Sequence, residues 1–199
     1  GGENLNLAIG QGFTQVTPLQ IARFISALVN GGTLYKPNLL QDSPAEAQGV
    51  LPLNDEQRNL IIEAMVETVE GDRGTARRLR RKDARIGGKT GTAQVRRISK
   101  SEREVGVVKN KDLPWLERDH ALFVGFAPVE KPRYAVSVVV GHGGGGSSVA
   151  APIARDVLKE VQRRGLERDP AVSEKSARIA DPPVSEKSAR IAGPGGPEG

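Results

Sequence analysis

Lys89-Thr90-Gly91-Thr92 is the stretch of this chain whose residue types and spacing could do chemistry. It lies within Arg85–Val95, which has strand-forming residues at both ends and three glycines, Gly87, Gly88 and Gly91, around one lysine. Lys89 offers a compact positive charge, and Thr90 and Thr92 offer hydroxyl donors. Gly91 has no Cβ, so a ligand can lie close against the backbone beside it. The N–H groups of an unpaired strand edge would add further donors. Such a group suits an anion, a carboxylate or a developing oxyanion. A glycine-bearing strand or turn with an exposed lysine is the plainer reading of the same residues.

Other candidate chemistry is thinner. Gly141-His142-Gly143-Gly144-Gly145-Gly146 precedes a helical pattern, where anions can bind, but lacks the Gly-Lys-Ser/Thr ending of a phosphate loop. It reads better as a hinge. His120 and His142 are far apart in sequence, so no metal site is expected, and His120 at a strand start reads as structural. No cofactor motif is present. Arg77, Arg78, Arg80, Arg81, Lys82 and Arg85 form a basic cluster. Aromatic residues make up only 4% of the chain, so no aromatic side chains interleave with it, and nucleic acid is not the expected partner.

The elements that must position Lys89–Thr92 follow from periodicity and caps. Asn4 to Gly10 alternates, which predicts a short extended run into the turn Gly10-Gln11-Gly12. Thr17-Pro18 reads as N-cap and first residue of a helix over 18–29, with Ile21, Phe24, Ile25 and Leu28 on its apolar face. Thr33–Lys36 predicts a short strand and 41–52 a loop. Asn54 with Gln57 reads as the capping box of a second helix over 55–70, with Leu60, Ile61, Met65 and Val69 on its apolar face. Thr75 is expected to cap a brief basic turn reaching Arg81. A strand follows over 85–98, then a long polar connection over 99–118 whose apolar point is Pro114-Trp115-Leu116. Residues 120–128 and 134–140 predict an antiparallel hairpin, and Ser147 or Ser148 is expected to cap a last helix over 148–164. Contiguous strands and separate helices imply an α+β fold with an antiparallel sheet flanked by helices.

The chain has 199 residues, room for one domain with its own core. Net charge is +5, and the basic excess lies in 1–164. There is no cysteine, hence no disulfide or thiol chemistry. No apolar run approaches the roughly 18–20 residues of a membrane helix, and no signal peptide is visible. The missing start methionine suggests a piece of something longer. Residues 170–181 are repeated, with small changes, at 182–193. Two copies cannot build a solenoid, and 165–199 is expected to be a disordered tail.

Lys-Thr-Gly is one of three elements shared by penicillin-binding proteins and serine β-lactamases. The other two are missing: no serine has a lysine three positions on, and no Ser-x-Asn occurs. The ordered context nevertheless resembles a family. Asn6–Gly12, Val16-Thr17-Pro18-Leu19-Gln20 with its helix to Asn30-Gly31-Gly32, and Gly87–Val95 come in sequence. His120–Pro128, an apolar strand and a glycine-rich turn follow. Together these are similar to the C-terminal half of a class B penicillin-binding protein transpeptidase domain, most of all the elongation-specific members. The resemblance covers 1–164 and leaves 165–199 outside.

That resemblance implies a five-stranded antiparallel sheet between helices, with this chain supplying three strands (85–98, 120–128, 134–141) and the closing helix. It implies serine acyl transfer between peptidoglycan stem peptides ending in D-Ala-D-Ala, and acylation by β-lactams. Lys89 would sit in the active site and Thr90 at the middle motif position. Gly91 would let substrate lie along the strand edge. The Thr92 side chain would hold a carboxylate, and its backbone N–H would be half of the oxyanion hole. The nucleophile serine is absent from the chain, so the isolated chain is expected to be inactive. The implied setting is the periplasmic side of the bacterial inner membrane, on an N-terminal helix absent here. The implied partners are a glycan polymerase and the elongation machinery. A degenerate transpeptidase-like binding module without catalysis is the alternative.

Overall fold

A computed structural model describes residues 2–8, 10–12, 14–40 and 43–168. Gly1–Gln162 forms one unit, and of the second, Arg163–Gly199, only the helix end up to Arg168 is described. The repeats at 170–193 lie outside the described residues.

The chain runs α1 (Gly2–Ala8), α2 (Pro18–Val29), β1 (Thr33–Tyr35), β2 (Ala47–Val50), α3 (Asp55–Glu70), β3 (Gly87–Ala93), α4 (Lys100–Val105), β4 (His120–Ala127), β5 (Tyr134–Val140) and α5 (Ala151–Arg168). Strands β3-β4-β5 make an antiparallel sheet in that order, and β1-β2 a separate two-stranded one. The fold is α+β, as expected.

Both principal helices start on full capping boxes. Thr17 accepts from the Gln20 N–H while the Gln20 side chain accepts from the Thr17 N–H, and Asn54 and Gln57 do the same. Each box satisfies donors that a bare helix start would leave open. The core lies on both faces of β4, because side chains along a strand alternate. Phe123 and Ala121 pack with Val69, Ala76 and Ala154. Phe126 packs on the other face with Ile25 and Leu28 of α2 and Met65 of α3. Both phenylalanines are fully buried, and each contributes roughly 1.5–3 kcal/mol of hydrophobic stabilisation.

Several expectations need correction. Residues 2–8 are helical, not extended. Leu5 and Leu7 are exposed and no strand pairs with this segment among the described residues, and a helix satisfies its own backbone where a lone strand cannot. The loop expected at 41–52 contains β2, which pairs with β1 across a bulge at Leu34/Tyr35. All four β2 residues are exposed, so no alternation marks it in the sequence. β3 ends at Ala93 rather than 98 because β4 begins only at His120, the partner of Ala93. The connection after β3 holds a Ser99-capped helix, α4. The last helix starts at Ala151 after a wide turn, Gly146–Ala150, and Ser148 donates to the Gly145 carbonyl instead of capping.

Candidate active site

β3 owes its shape to β4. All seven of its residues pair in register, from Gly87 opposite Phe126 to Ala93 opposite His120. A Cβ on Gly87 would lie 2.4 Å from the Phe126 ring, and one on Gly88 2.3 Å from the Phe123 ring. These two glycines make room for the two core phenylalanines, one on each face. Gly91 differs. A Cβ there would meet only Leu122, at 3.3 Å. Its backbone is approached instead by Gly146, whose Cβ would lie 2.2 Å from the Gly91 carbonyl oxygen. The glycine-rich turn therefore lies against the back of the strand at Gly91. It is also tied down: the Gly144 N–H donates to the Asp119 carbonyl, and the His142 N–H to His120 Nδ1. His120 and His142 thus meet, their rings 4.7 Å apart, and His120 accepts a backbone hydrogen bond. No metal-holding cluster occurs among the described residues.

The outer edge of β3 has no strand partner among the described residues. Two contacts show which residues face it. Lys89 Nζ donates to the Thr90 carbonyl at 2.7 Å, and Gln11 Nε2 donates to the Thr92 carbonyl at 3.0 Å. In an antiparallel ladder a residue directs its N–H and C=O the same way, and successive residues alternate. Thr90 and Thr92 therefore present both backbone groups to the open edge, while Lys89 and Gly91 bond to β4. Lys89 and Thr92 are exposed and Thr90 is half-buried. Within four residues the edge offers one cation, two hydroxyls and two outward N–H groups. That is a set of donors for an oxyanion or a carboxylate on an extended ligand.

The surroundings hold this edge in place. Lys89 also borders an apolar groove of about 500 Å³ between α2 and α3, lined by Phe24, Ile25, Ile61, Met65 and Val124 among others. Beyond the Ala93 end, Arg96 forks onto Glu102 at 2.7 and 2.5 Å, and Glu102 also accepts from the Val108 N–H. The Arg96 hydrogen bond first, then that N–H, holds the Glu102 carboxyl down at about 2. Asp119 accepts from the Asn110 amide at 2.8 Å and faces the Val95 N–H. Trp115 stacks at a tilt on His142, 4.6 Å away, which docks the connection where its apolar point is expected.

Four members of the basic cluster bond to groups of the chain itself while most of the cluster stays exposed. Arg80 donates to the Val69 carbonyl, Arg77 to the Asp72 carbonyl, Arg81 to Asp83 and Arg85 to Glu130.

Two residues at the site escape sequence reasoning. Gln11 sits between Gly10 and Gly12, both in the left-handed region (φ 74° and 107°). A polar side chain presented on a glycine turn is the signal that could have flagged it. Thr75 does not cap the following turn; its Oγ1 lies 2.9 Å from Thr90 Oγ1. Nothing in the local sequence points to that contact across 15 positions.

Comparison with known proteins agrees with this geometry. The family model described as penicillin binding protein transpeptidase domain matches residues 2–159. The chain is 34% identical over 168 residues to a Haemophilus influenzae protein named peptidoglycan D,D-transpeptidase MrdA, covering 79% of this chain and 25% of that protein. It is similar to the PBP2 of a Helicobacter pylori PBP2–MreC complex, with TM-score 0.64 and 30% identity over 82% of this chain and 28% of that one. Pseudomonas aeruginosa PBP2 in complex with WCK 5153 matches with TM-score 0.57 and 34% identity, over 79% of this chain and 32% of that one. The chain spans about a quarter of the length of the curated relatives it matches.

Proposed function

Because this chain belongs to the penicillin-binding protein transpeptidase family, we propose that it forms the Lys-Thr-Gly-Thr wall of the active site in a peptidoglycan D,D-transpeptidase of the penicillin-binding protein 2 type. The observation that carries the reading is the open edge of β3, where Lys89, Thr90 and Thr92 turn their donors outward. In this reading the serine of another segment attacks the D-Ala-D-Ala carbonyl. Its carbonyl oxygen becomes an oxyanion on the Thr92 N–H and a second N–H, and D-Ala leaves. The amine of a second stem peptide then displaces the serine and forms the cross-link. Lys89 supports proton transfer electrostatically, and the Thr92 hydroxyl holds the substrate's carboxylate. One oxyanion-hole donor of this kind is worth roughly 3–4 kcal/mol in the transition state.

The chain contains neither Ser-x-x-Lys nor Ser-x-Asn, so the reading makes it a fragment of the working enzyme. The open groove beside Lys89, and the exposure of Phe24 and Leu60 on the helix faces expected to be buried, support a further segment seated there. The reading extends to β-lactams as acylating ligands, to a cognate glycan polymerase and to elongation-machinery proteins of the kind represented by MreC in the Helicobacter pylori complex. It places the enzyme on the periplasmic face of the inner membrane, anchored by a segment outside this chain. Among the described residues no helix is long and apolar enough to cross a membrane.

Labelling with fluorescent penicillin tests the reading. The intact product of the gene that encodes this chain should be labelled covalently, one per molecule, and the 199-residue chain alone should not. Stoichiometric labelling of the chain alone would overturn its assignment as the wall without the nucleophile. An intact product that stays unlabelled would favour the other reading that the missing motifs allow, a transpeptidase-like module that binds without catalysis.

A further inference from the structure

Thr75 and Thr90 place two hydroxyl oxygens 2.9 Å apart at the back of the candidate site. A hydroxyl has one hydrogen and two lone pairs, so within such a pair one group donates and the other accepts. If Thr75 donates, the single hydrogen of Thr90 is free for an acceptor in front of β3. If Thr90 donates, that hydrogen is spent on Thr75 and Thr90 can only accept. A carboxylate accepts and never donates, so its arrival selects the first direction. Charge-assisted bonds are the stronger ones, and a chain of hydroxyls polarises toward the charge.

The backbone on both sides keeps this pair at fixed spacing. The Ala76 N–H donates to the Thr68 carbonyl at 3.0 Å, and the Gly74 N–H to the Gly71 carbonyl at 2.9 Å. Ala76 is buried, and a Cβ on Gly74 would lie 2.3 Å from the Thr68 carbonyl oxygen. The loop carrying Thr75 is therefore clamped without help from its hydroxyl. Thr90 sits mid-strand opposite fully buried Phe123. Both side chains are β-branched and stiff at χ1. Thr75 is itself exposed, so water can replace its hydrogen bond and the pair adds little as a staple. The contact is redundant for folding and well placed for orienting a hydroxyl.

We propose that Thr75 is a positioning residue: its hydroxyl donates to Thr90 Oγ1 and so aims the Thr90 hydrogen at the carboxylate of the bound ligand. The inference rests on the reading of β3 as the carboxylate-binding wall. It adds carboxylate discrimination as a property set partly from outside the Lys89–Thr92 motif.

The test uses the intact gene product and measures acylation rates with penicillin G and with its methyl ester, which lacks the anionic carboxylate. Thr75→Val keeps the shape and removes the hydroxyl. It should slow acylation by the acid about tenfold and leave the ester nearly unchanged, because the Thr90 hydrogen bond to the carboxylate loses the donor that orients and polarises it. Thr75→Ser should restore the acid's rate. Equal slowing of both ligands, or no slowing of either, would overturn the role. Thr92→Ala in the same assay separates the layers. If it fails to alter the acid's rate, the carboxylate wall itself is misassigned. If it slows the acid while Thr75→Val does not, only the role of Thr75 falls.

Discussion

Gly87 and Gly88 are shaped by what lies behind them. Each leaves space for a phenylalanine ring of β4, and a methyl group would intrude to within 2.4 and 2.3 Å of those rings. Gly88→Ala should therefore cost about 1–3 kcal/mol through overpacking against Phe123. A thermal melt of the intact product checks this, and an unchanged melting temperature would show that the ring moves aside freely. Gly91 is less crowded, a methyl group there meeting only Leu122 at 3.3 Å, close enough that it must shift slightly, so the two kinds of glycine in one motif do different work. Lys89 and Thr92 are likewise divided by the ladder: Thr92 sends its backbone to the open edge, and Lys89 sends its side chain back to the Thr90 carbonyl.

The connection between β3 and β4 carries 26 residues, 94–119, and one carboxylate organises its first half. Glu102 takes both arms of Arg96 and the Val108 N–H. Its folded-state value of about 2 lies below the ordinary 4.5. The contribution of its ionised form is therefore fully present above the ordinary value and is lost as pH falls through about 2. Glu102→Gln should loosen 96–108 at neutral pH and remove the local pH dependence between those two values. Hydrogen exchange of that segment at pH 5 and pH 3 reads the effect. Equal protection in the variant and the wild type at pH 5 would show that other contacts hold the segment.

At the scale of the molecule the open groove between α2 and α3 is the dominant feature. Phe24 and Leu60 line it and are 41% and 67% exposed, although they lie on faces whose periodicity predicts burial. Apolar surface of this kind drives association unless something covers it. The isolated chain should bind a hydrophobic dye and precipitate or self-associate, and Phe24→Glu with Leu60→Lys should improve its solubility. The same pair in the intact product should lower its melting temperature, as the proposed seating of a further segment in the groove requires. A soluble wild-type monomer with a sharp two-state melt would count against this account.

Short-range signals in the sequence located α2, α3, β4 and β5 but not α1, β2 or α4. Thr17, Asn54 and Gln57 cap the two main helices at the expected places, and β-rich runs mark β4 and β5. The order of Asn6–Gly12, Thr17-Pro18 with its helix, Gly87–Val95 and His120–Pro128 carried the transpeptidase resemblance, and the family match over residues 2–159 agrees with it. Tertiary structure decided what each residue faces. Register with β4 sends Thr90 and Thr92 outward and reserves Gly87 and Gly88 for two aromatic rings. Folding also brings Thr75 to Thr90 and Gln11 to Thr92, 15 and 81 positions apart. No local pattern encodes such contacts, since they depend on how separate elements pack and not on the preferences of either segment.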